Sequence, residues 1–339
     1  MKGITMQTRC FVAICGLALA GAVAAGSGGA SAADLKMTFA MPTTPAPYLL
    51  PFFLAKDLGW LEKAGLTVEE KVVTGDSNCL RAVLSGDADT TLIGPNTIMQ
   101  AVVSGAPIKL IGTFQPVVDY QIIARNGAGT TLKDLGDKKW AIASVGGMTQ
   151  ALPKMVMLKN GVDSSAAQYQ SVGGLAARYQ AIAAGTVDAS LVDVALALRG
   201  EREGRAKIIS AIHDDFPNMG YVFFPMRISA LADANQRKAM EIFVREGIRG
   251  ARYIVEHPDL AAVVMEKRLK SDDVPGMINT LKKISALGVW GLNGGLDRSV
   301  LDFSQKVYRE SGDVTADVPY DRLVDSSIVD ASLKELGKR

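Results

Sequence analysis

The sequence A-V-L-S-G-D-A-D at residues 82–89 recurs as A-I-A-A-G-T-V-D at residues 181–188. Both stretches follow the pattern A-[V/I]-x-x-G-x-x-D-x-x-L, and their displacement is constant (181 − 82 and 188 − 89 both give 99). A helix that ends at a glycine and leads into a strand is the repeating step of α/β proteins. The constant displacement therefore predicts two similar lobes with a cleft between them. The alternative is that this pattern marks any helix-to-strand turn, without a repeat.

Strands and helices alternate along both halves of the chain. Apolar runs predict strands at 35–41, 67–73, 90–93 and 108–114, and again at 139–143, 168–172 and 189–192, with helical patterns between them. This order favours a parallel sheet in each lobe. We expect two crossings between the lobes, at 121–125 and 220–224, and a returning strand at 221–226. The predicted domains are a signal peptide at 1–32, the first part of lobe 1 at 33–122, lobe 2 at 123–220, and a return to lobe 1 with C-terminal helices at 221–339.

The first residues have the composition of a secretory signal peptide. Lys2 and Arg9 precede an apolar run over 10–25, and small residues then end in Ala30-Ser31-Ala32, an A-x-A cleavage site. The run is too short and too rich in glycine for a membrane anchor. We therefore expect an exported protein that is cleaved near Ala32.

The charge balance and the cysteine count exclude several classes of function. The 339 residues include 37 Lys and Arg against 35 Asp and Glu, which argues against nucleic acid as a partner. After cleavage Cys79 is the one remaining cysteine, so it has no internal disulfide partner. Together with His213 and His257 it supports neither a zinc site nor a catalytic Cys/His pair. We expect no metal, no cofactor and no enzymatic activity, and the role of Cys79 stays open.

The sequence Y-L-L-P-F-F-L-A-K-D-L-G-W-L-E-K-A-G-L-T-V at 48–68 resembles the opening of periplasmic solute-binding proteins of the nitrate, sulfonate and taurine type. Similar segments follow in the family's order at 86–89, 105–109, 132–135 and 317–325. The resemblance implies a type II periplasmic-binding-protein fold, with two doubly wound α/β lobes, two crossings and a ligand cleft between the lobes. It also implies a monomer that captures a small solute and delivers it to an ABC-type membrane permease with its ATPase. Pyrimidine synthases for thiamine are similar in the first lobe.

Four loops lead into predicted helices and are candidates for the binding site. Helix N-termini present unpaired N–H groups and a partial positive charge, so they hold anions without a basic side chain. For each loop, ordinary helix capping is the alternative. The candidate ligand-binding residues are Thr43, Thr44, Asp76, Ser77, Asn78, Pro95, Asn96, Gly146, Gly147, Met148 and Thr149. Gly174 joins them through the repeat, as the equivalent of Gly75.

Two charged residues complete the predicted site. Arg178, on the repeated helix, has the forked geometry that binds an oxyanion, and Arg125 is a second candidate of this kind. Asp193 ends a predicted strand at the cleft, where its carboxylate repels an anion but suits a ligand with an amino group, such as taurine or an aminopyrimidine. Tyr120, Phe114 and Phe223 are candidates for stacking on an aromatic ligand, with core packing as the alternative.

The sequence favours a solute-binding protein that closes around its ligand by hinge motion. One alternative is a protein that presents its ligand to a membrane sensor. Another is a pyrimidine-binding protein or enzyme of the same fold, but the C-C-C-F-C motif of those enzymes is missing here. Sulfonates and taurine are the first candidate ligands and nitrate the next, while aromatic carboxylates and pyrimidines stay open.

Overall fold

Two sheet systems with the same strand order form the core of the fold. The computed structural model describes residues 35–42, 45–73, 75–145 and 147–339. The predicted signal peptide and the candidate residues Thr43, Thr44 and Gly146 lie outside this part of the chain.

The first half of the described chain is a series of strands and helices. Its elements are β1 (Leu35–Met41), α1 (Leu50–Asp57), α2 (Trp60–Lys63), β2 (Leu66–Val72), α3 (Asp76–Ser85), β3 (Thr90–Thr91), α4 (Pro95–Val103) and β4 (Ile108–Leu110). The next series comprises β5 (Gln121–Arg125), β6 (Lys139–Ile142), α5 (Met148–Lys159), β7 (Gln168–Ser171), α6 (Leu175–Ala183), β8 (Ala189–Val192), α7 (Val194–Arg202), β9 (Ala206–Ala211) and α8 (Ile212–Asp215). The chain ends with β10 (Pro225–Arg227), α9 (Ile228–Ala232), α10 (Ala234–Glu256), α11 (Pro258–Leu269), α12 (Val274–Ala286), α13 (Arg298–Glu310), α14 (Tyr320–Leu323) and α15 (Ser327–Leu336).

The strand order is the same in both sheet systems. The second sheet has the order β7-β6-β8-β5-β9, and the first comprises β2-β1-β3 and the pair β10-β4. A bridge between Ile93, after β3, and Phe223, before β10, connects those two pieces. The first sheet system therefore follows the order β2-β1-β3-β10-β4.

The expectation of a purely parallel sheet in each lobe is wrong for one strand in each system. β5 runs antiparallel to β8 and β9, and β10 runs antiparallel to β4. Each of these strands follows a segment that comes directly from the other sheet system, not from a crossover helix, so nothing forces it to run parallel to its neighbours.

The first crossing lies at a different position from the one expected, whereas the second includes residues 220–222 of the expected 220–224. Residues 121–125 are not a crossing, because they form β5 inside the second sheet. The preceding segment pairs with the chain before β10, since Val118 N donates to the Met219 carbonyl at 3.0 Å and Tyr221 N donates to the Pro116 carbonyl at 2.8 Å. The two crossings therefore run side by side. The exact lobe boundaries stay a prediction.

The repeat extends beyond the motif that revealed it. The displacement of 99 residues relates the starts of α3 and α6, of β3 and β8, and of α4 and α7 (175 − 76, 189 − 90 and 194 − 95). The aspartate of the motif has the same role twice. Asp89 Oδ2 accepts from Thr38 N in β1 at 2.7 Å, and Asp188 Oδ2 accepts from Lys139 N in β6 at 3.2 Å. The motif therefore contains an aspartate because its carboxylate fixes the loop to the adjacent strand.

The core of the first sheet system is packed against α10. The ring of Phe243 in this helix lies 5.2–5.6 Å from four other rings, measured between centroids: those of Phe39, Phe52, Phe114 and Phe224. α10 approaches α1 at Gly250, where an added Cβ would lie 2.3 Å from the Pro51 carbonyl oxygen. Within the described residues, no helix has the length and apolar character needed to cross a bilayer.

Candidate ligand-binding site

A cavity of about 310 Å³ lies where the two sheet systems meet. Its walls come from the loops after β1, β2 and β3 on one side and after β6 and β7 on the other. Tyr120, Tyr221 and Val222 of the crossings form the rest. Residues after the carboxyl ends of parallel strands thus surround the cavity from both sides, which is where ligands bind in open α/β sheets.

Four helices begin at this cavity, and each has a glycine as its N-cap residue. These glycines are Gly75 before α3, Gly94 before α4, Gly147 before α5 and Gly174 before α6. All four line the cavity, and none of the four helices has a side-chain hydrogen bond from its N-cap residue. Since the N-terminus of a helix carries unpaired N–H groups and a partial positive charge, the four ends create a site that attracts negative charge.

Arg178 adds a fixed positive charge to the same cavity. Its side chain is 2% exposed, with Nε donating to the Leu191 carbonyl and Nη1 to the Gly173 carbonyl, both at 3.0 Å. The buried Nη2 has no partner in the described part of the chain. A buried guanidinium that is held by two bonds and keeps one nitrogen unpaired is preorganised to bind an oxyanion.

Asp76 is the carboxylate of the cavity, at the first turn of α3. Burial raises the pKa of Asp76, while the bond from Gly94 N (3.0 Å) and the charge of Arg178 lower it. This bond links the starts of α3 and α4, so part of their donor capacity is already used within the protein. The donors left for an anion are therefore concentrated on the side of α5, α6 and Arg178.

Three tyrosines pack edge to face around the crossings. Tyr221 lies 5.4 Å from Tyr48 and 5.0 Å from Tyr120, measured between ring centroids, and all three line the cavity. Burial raises the pKa of all three hydroxyls, so they are uncharged at neutral pH. The rings give the cavity an apolar wall.

The structure brings together half of the predicted site residues. The predicted residues that line the cavity are Asp76, Ser77, Gly147, Met148, Thr149, Gly174 and Arg178. Thr149 also forms a hydrogen bond within the protein, because its Oγ1 accepts from Ala143 N at 2.8 Å. Whether these residues contact a ligand stays a prediction.

Four other predicted residues, Asn78, Pro95, Asn96 and Asp193, are not part of the cavity wall. Asn78 accepts from Arg81 on the outer side of α3, and Pro95 and Asn96 are buried in the first turn of α4. Asp193 is 2% exposed and caps α7, where its Oδ1 accepts from Leu196 N at 2.9 Å.

Three further candidate residues also lie outside the cavity wall. Arg125 pairs with Asp188 at 2.6 Å, and Phe114 and Phe223 are fully buried in the core. Sequence reasoning did not find Tyr48 and Tyr221, because the contact between rings from the two crossings and the loop after β1 leaves no local pattern.

Asp193 forms a buried acidic pair with Asp119, which precedes Tyr120 in the first crossing. Burial first, and then the neighbouring Asp193 carboxylate, raise the pKa of Asp119 to about 7. Burial raises the pKa of Asp193 to about 6, although the hydrogen bond from Leu196 N and the positive charge of Arg178 both lower it. Oδ1 of Asp119 has no partner among the described residues. These groups therefore change protonation state near neutral pH, next to the segment that connects the sheets.

The family described as NMT1/THI5 like matches residues 46–261 of the sequence, which is more than half of the chain. The chain belongs to the NMT1/THI5-like family. No curated protein matches it.

Solved structures establish the fold. The periplasmic nitrate-binding protein NrtA from Synechocystis superposes with a TM-score of 0.70 at 14% identity, over 89% of each chain. The alkanesulfonate-binding protein SsuA from Xanthomonas axonopodis, bound to MOPS, has a TM-score of 0.68 at 16% identity, over 89% of this chain and 99% of that one. DszB, in complex with biphenyl-2-sulfinic acid, has a TM-score of 0.62 at 12% identity, over 88% of this chain and 99% of that one. The family and the periplasmic-binding-protein fold predicted from the sequence are confirmed.

Proposed function

We propose that this NMT1/THI5-like protein is the exported solute-binding component of an ABC-type importer and that it captures a small organic anion of the sulfonate, taurine or nitrate type. One observation carries the proposal: four helix N-termini with glycine caps and the unpaired Nη2 of Arg178 surround one cavity. An anion there exchanges its water for donors that are already in place, which reduces the ordering cost of binding.

Capture proceeds by hinge closure around the two adjacent crossings. The cavity takes part of its wall from each sheet system, so a bound ligand contacts both and stabilises their closed arrangement. The closed, loaded form, acting as a monomer, then delivers the solute to the membrane permease and its ATPase. NrtA is described as a periplasmic nitrate-binding protein and SsuA as an alkanesulfonate-binding protein, which supports the same role and the same location for this chain.

The described cysteine and the two histidines support binding over catalysis, because none of them lines the cavity. Cys79 is fully buried, and its thiol donates to the Val73 carbonyl at 2.9 Å. Burial is the main reason that the pKa of this thiol is raised to about 12. A thiol in that state is a poor nucleophile. Neither His213 nor His257 lines the cavity. DszB, an enzyme, shares the fold, so the fold alone does not decide between the two roles.

The test is a binding titration on the mature protein with taurine, methanesulfonate, butanesulfonate and nitrate. Arg178→Gln removes the guanidinium group. Arg178→Lys keeps the positive charge but loses the paired N–H donors of the guanidinium. Because a hydrogen bond between charged groups contributes about 1.5–3 kcal/mol, we expect Arg178→Gln to weaken anion binding about ten- to hundredfold. Arg178→Lys should weaken it less.

Arg298→Gln is the matched control, since this arginine lies on α13 with a side chain that is 59% exposed. Melting curves without ligand show whether each variant folds. Small-angle scattering of the wild type should show compaction with the tightest ligand. The proposed function is wrong if none of these four solutes binds, or if Arg178→Gln folds and binds anions as well as Arg298→Gln does.

A further inference from the structure

A second cavity, of about 730 Å³, adjoins the first and is larger. It lies between α6 and α7 of the second sheet system and α11 and α12 of the C-terminal helices. Leu175, at the start of α6, lines both cavities and is 6% exposed. The loop before α1 is shared as well, because Tyr48 faces the first cavity and Pro45, Ala46 and Pro47 the second. One side chain and one loop therefore border both spaces.

Five of the ionic side chains around the second cavity are held in ion pairs, those of Arg199, Arg202, Glu203, Arg268 and Asp273. Arg199 pairs with Glu203 at 2.6 Å, and Arg202 pairs with Asp273 at 3.0 Å. Arg268 donates to two carboxylates outside the cavity, at 2.8 and 2.9 Å. These paired charges have no need of a ligand. Asp193 and Glu266 accept from the backbone N–H groups of Leu196 and Asp273, and Lys270 is exposed to solvent.

Apolar side chains provide the surface that is left for an occupant. They include Pro45, Ala46, Leu175, Leu196, Leu269 and Met277. Leu269 keeps 39% of its surface exposed. Covering such surface is favourable by about 25 cal/mol for each Å² removed from water. The cavity therefore favours a hydrocarbon group.

We infer that the two cavities are one elongated binding cleft for an amphiphilic organic acid, with its anionic head at Arg178 and its apolar chain past Leu175 in the second cavity. This inference rests on the proposed function, because the head group uses the same anion site. The Arg202–Asp273 pair connects α7 to the N-terminus of α12 across the cavity, and its side chains are 48% and 50% exposed. These exposed fractions place the pair at the solvent side of the cavity, away from the apolar surface.

The test is calorimetric titration of the mature protein with methanesulfonate, butanesulfonate and octanesulfonate below its micellar concentration. Each buried methylene should tighten binding about fourfold until the chain fills the second cavity, so octanesulfonate should bind at least about tenfold tighter than butanesulfonate. Ala176→Trp fills the second cavity from an exposed position that the first cavity does not share. It should remove the gain with octanesulfonate and leave methanesulfonate binding unchanged.

Ala177→Trp is the matched control, because Ala177 is the next exposed residue of α6 and lines neither cavity. The inference is overturned, with the proposed function intact, if short sulfonates bind but octanesulfonate binds no tighter. It is also overturned if Ala176→Trp leaves the dependence on chain length unchanged. A change of sedimentation coefficient in that variant would then assign the surface to a second copy of the chain. If no sulfonate of any length binds, the proposed ligand class and the inference fail together.

Discussion

The buried pair Asp119 and Asp193 predicts that the folded protein loses stability as the pH rises toward neutrality. Burial and the Asp193 carboxylate raise the pKa of Asp119 from 3.8 to about 7. Between these two values the unfolded chain releases the proton, while the folded chain keeps it. Stability that is present below pH 4 is therefore lost progressively up to about pH 7 and changes no further above it.

The size of this loss follows from the two pKa values. The interval from 3.8 to about 7 spans roughly three pH units, and each unit corresponds to about 1.4 kcal/mol, so the part of the loss that comes from Asp119 is about 4 kcal/mol. Asp119→Asn removes the titrating group, and its amide oxygen is still able to accept a hydrogen bond. We expect this variant to be more stable than the wild type at pH 7.5 by a few kcal/mol and nearly equal to it at pH 4.

The assay is urea denaturation, followed by tryptophan fluorescence, at pH 4.0, 5.0, 6.0, 7.0 and 8.0. Asp321→Asn is the control, because the side chain of Asp321 is 92% exposed. Its profile should follow that of the wild type. Parallel profiles for the wild type and Asp119→Asn across this range would refute the reasoning, since they would show that Asp119 ionises equally in the folded and unfolded states.

Two further predictions concern the core. Gly250→Ala should destabilise the protein by about 2 kcal/mol in urea denaturation, because the new Cβ would lie 2.3 Å from the Pro51 carbonyl oxygen and would force α10 away from α1. An unchanged unfolding midpoint would contradict this reading of the contact. Cys79 should react with a thiol reagent only as fast as the protein unfolds, because its side chain is fully buried. Rapid labelling of this thiol in native buffer would instead show an accessible group and would revive the enzyme hypothesis.

Much of the fold followed from one displacement in the sequence. The relation between residues 82–89 and 181–188 continued into α4 and α7, because a duplicated unit keeps its turns as well as its helices. The direction of β5 and β10 was not predictable in this way. An apolar run such as 121–125 shows that a segment is buried, but the direction of a strand depends on which sheet the chain has just left.

The site was predictable where the backbone defines it and unpredictable where packing does. Gly174 was found through the repeat, as the equivalent of Gly75, and both proved to be N-cap residues at the cavity. The same displacement relates Gly94 to Asp193 (193 − 94 = 99). There the aspartate caps its own helix, so its side chain is occupied. Tyr48 and Tyr221 meet only because distant segments pack together.

The four glycine caps also affect how this site responds to mutation. Apart from substitution by proline, no change of side chain removes a backbone N–H group, so random mutation rarely removes the attraction for negative charge. Under the proposed function, the identity of the solute instead depends on a few replaceable side chains that line the cavity, among them Arg178, Asp76 and Met148. Under the same proposal, substitutions at these side chains are expected to change which solute binds, while the backbone donors that attract an anion stay in place.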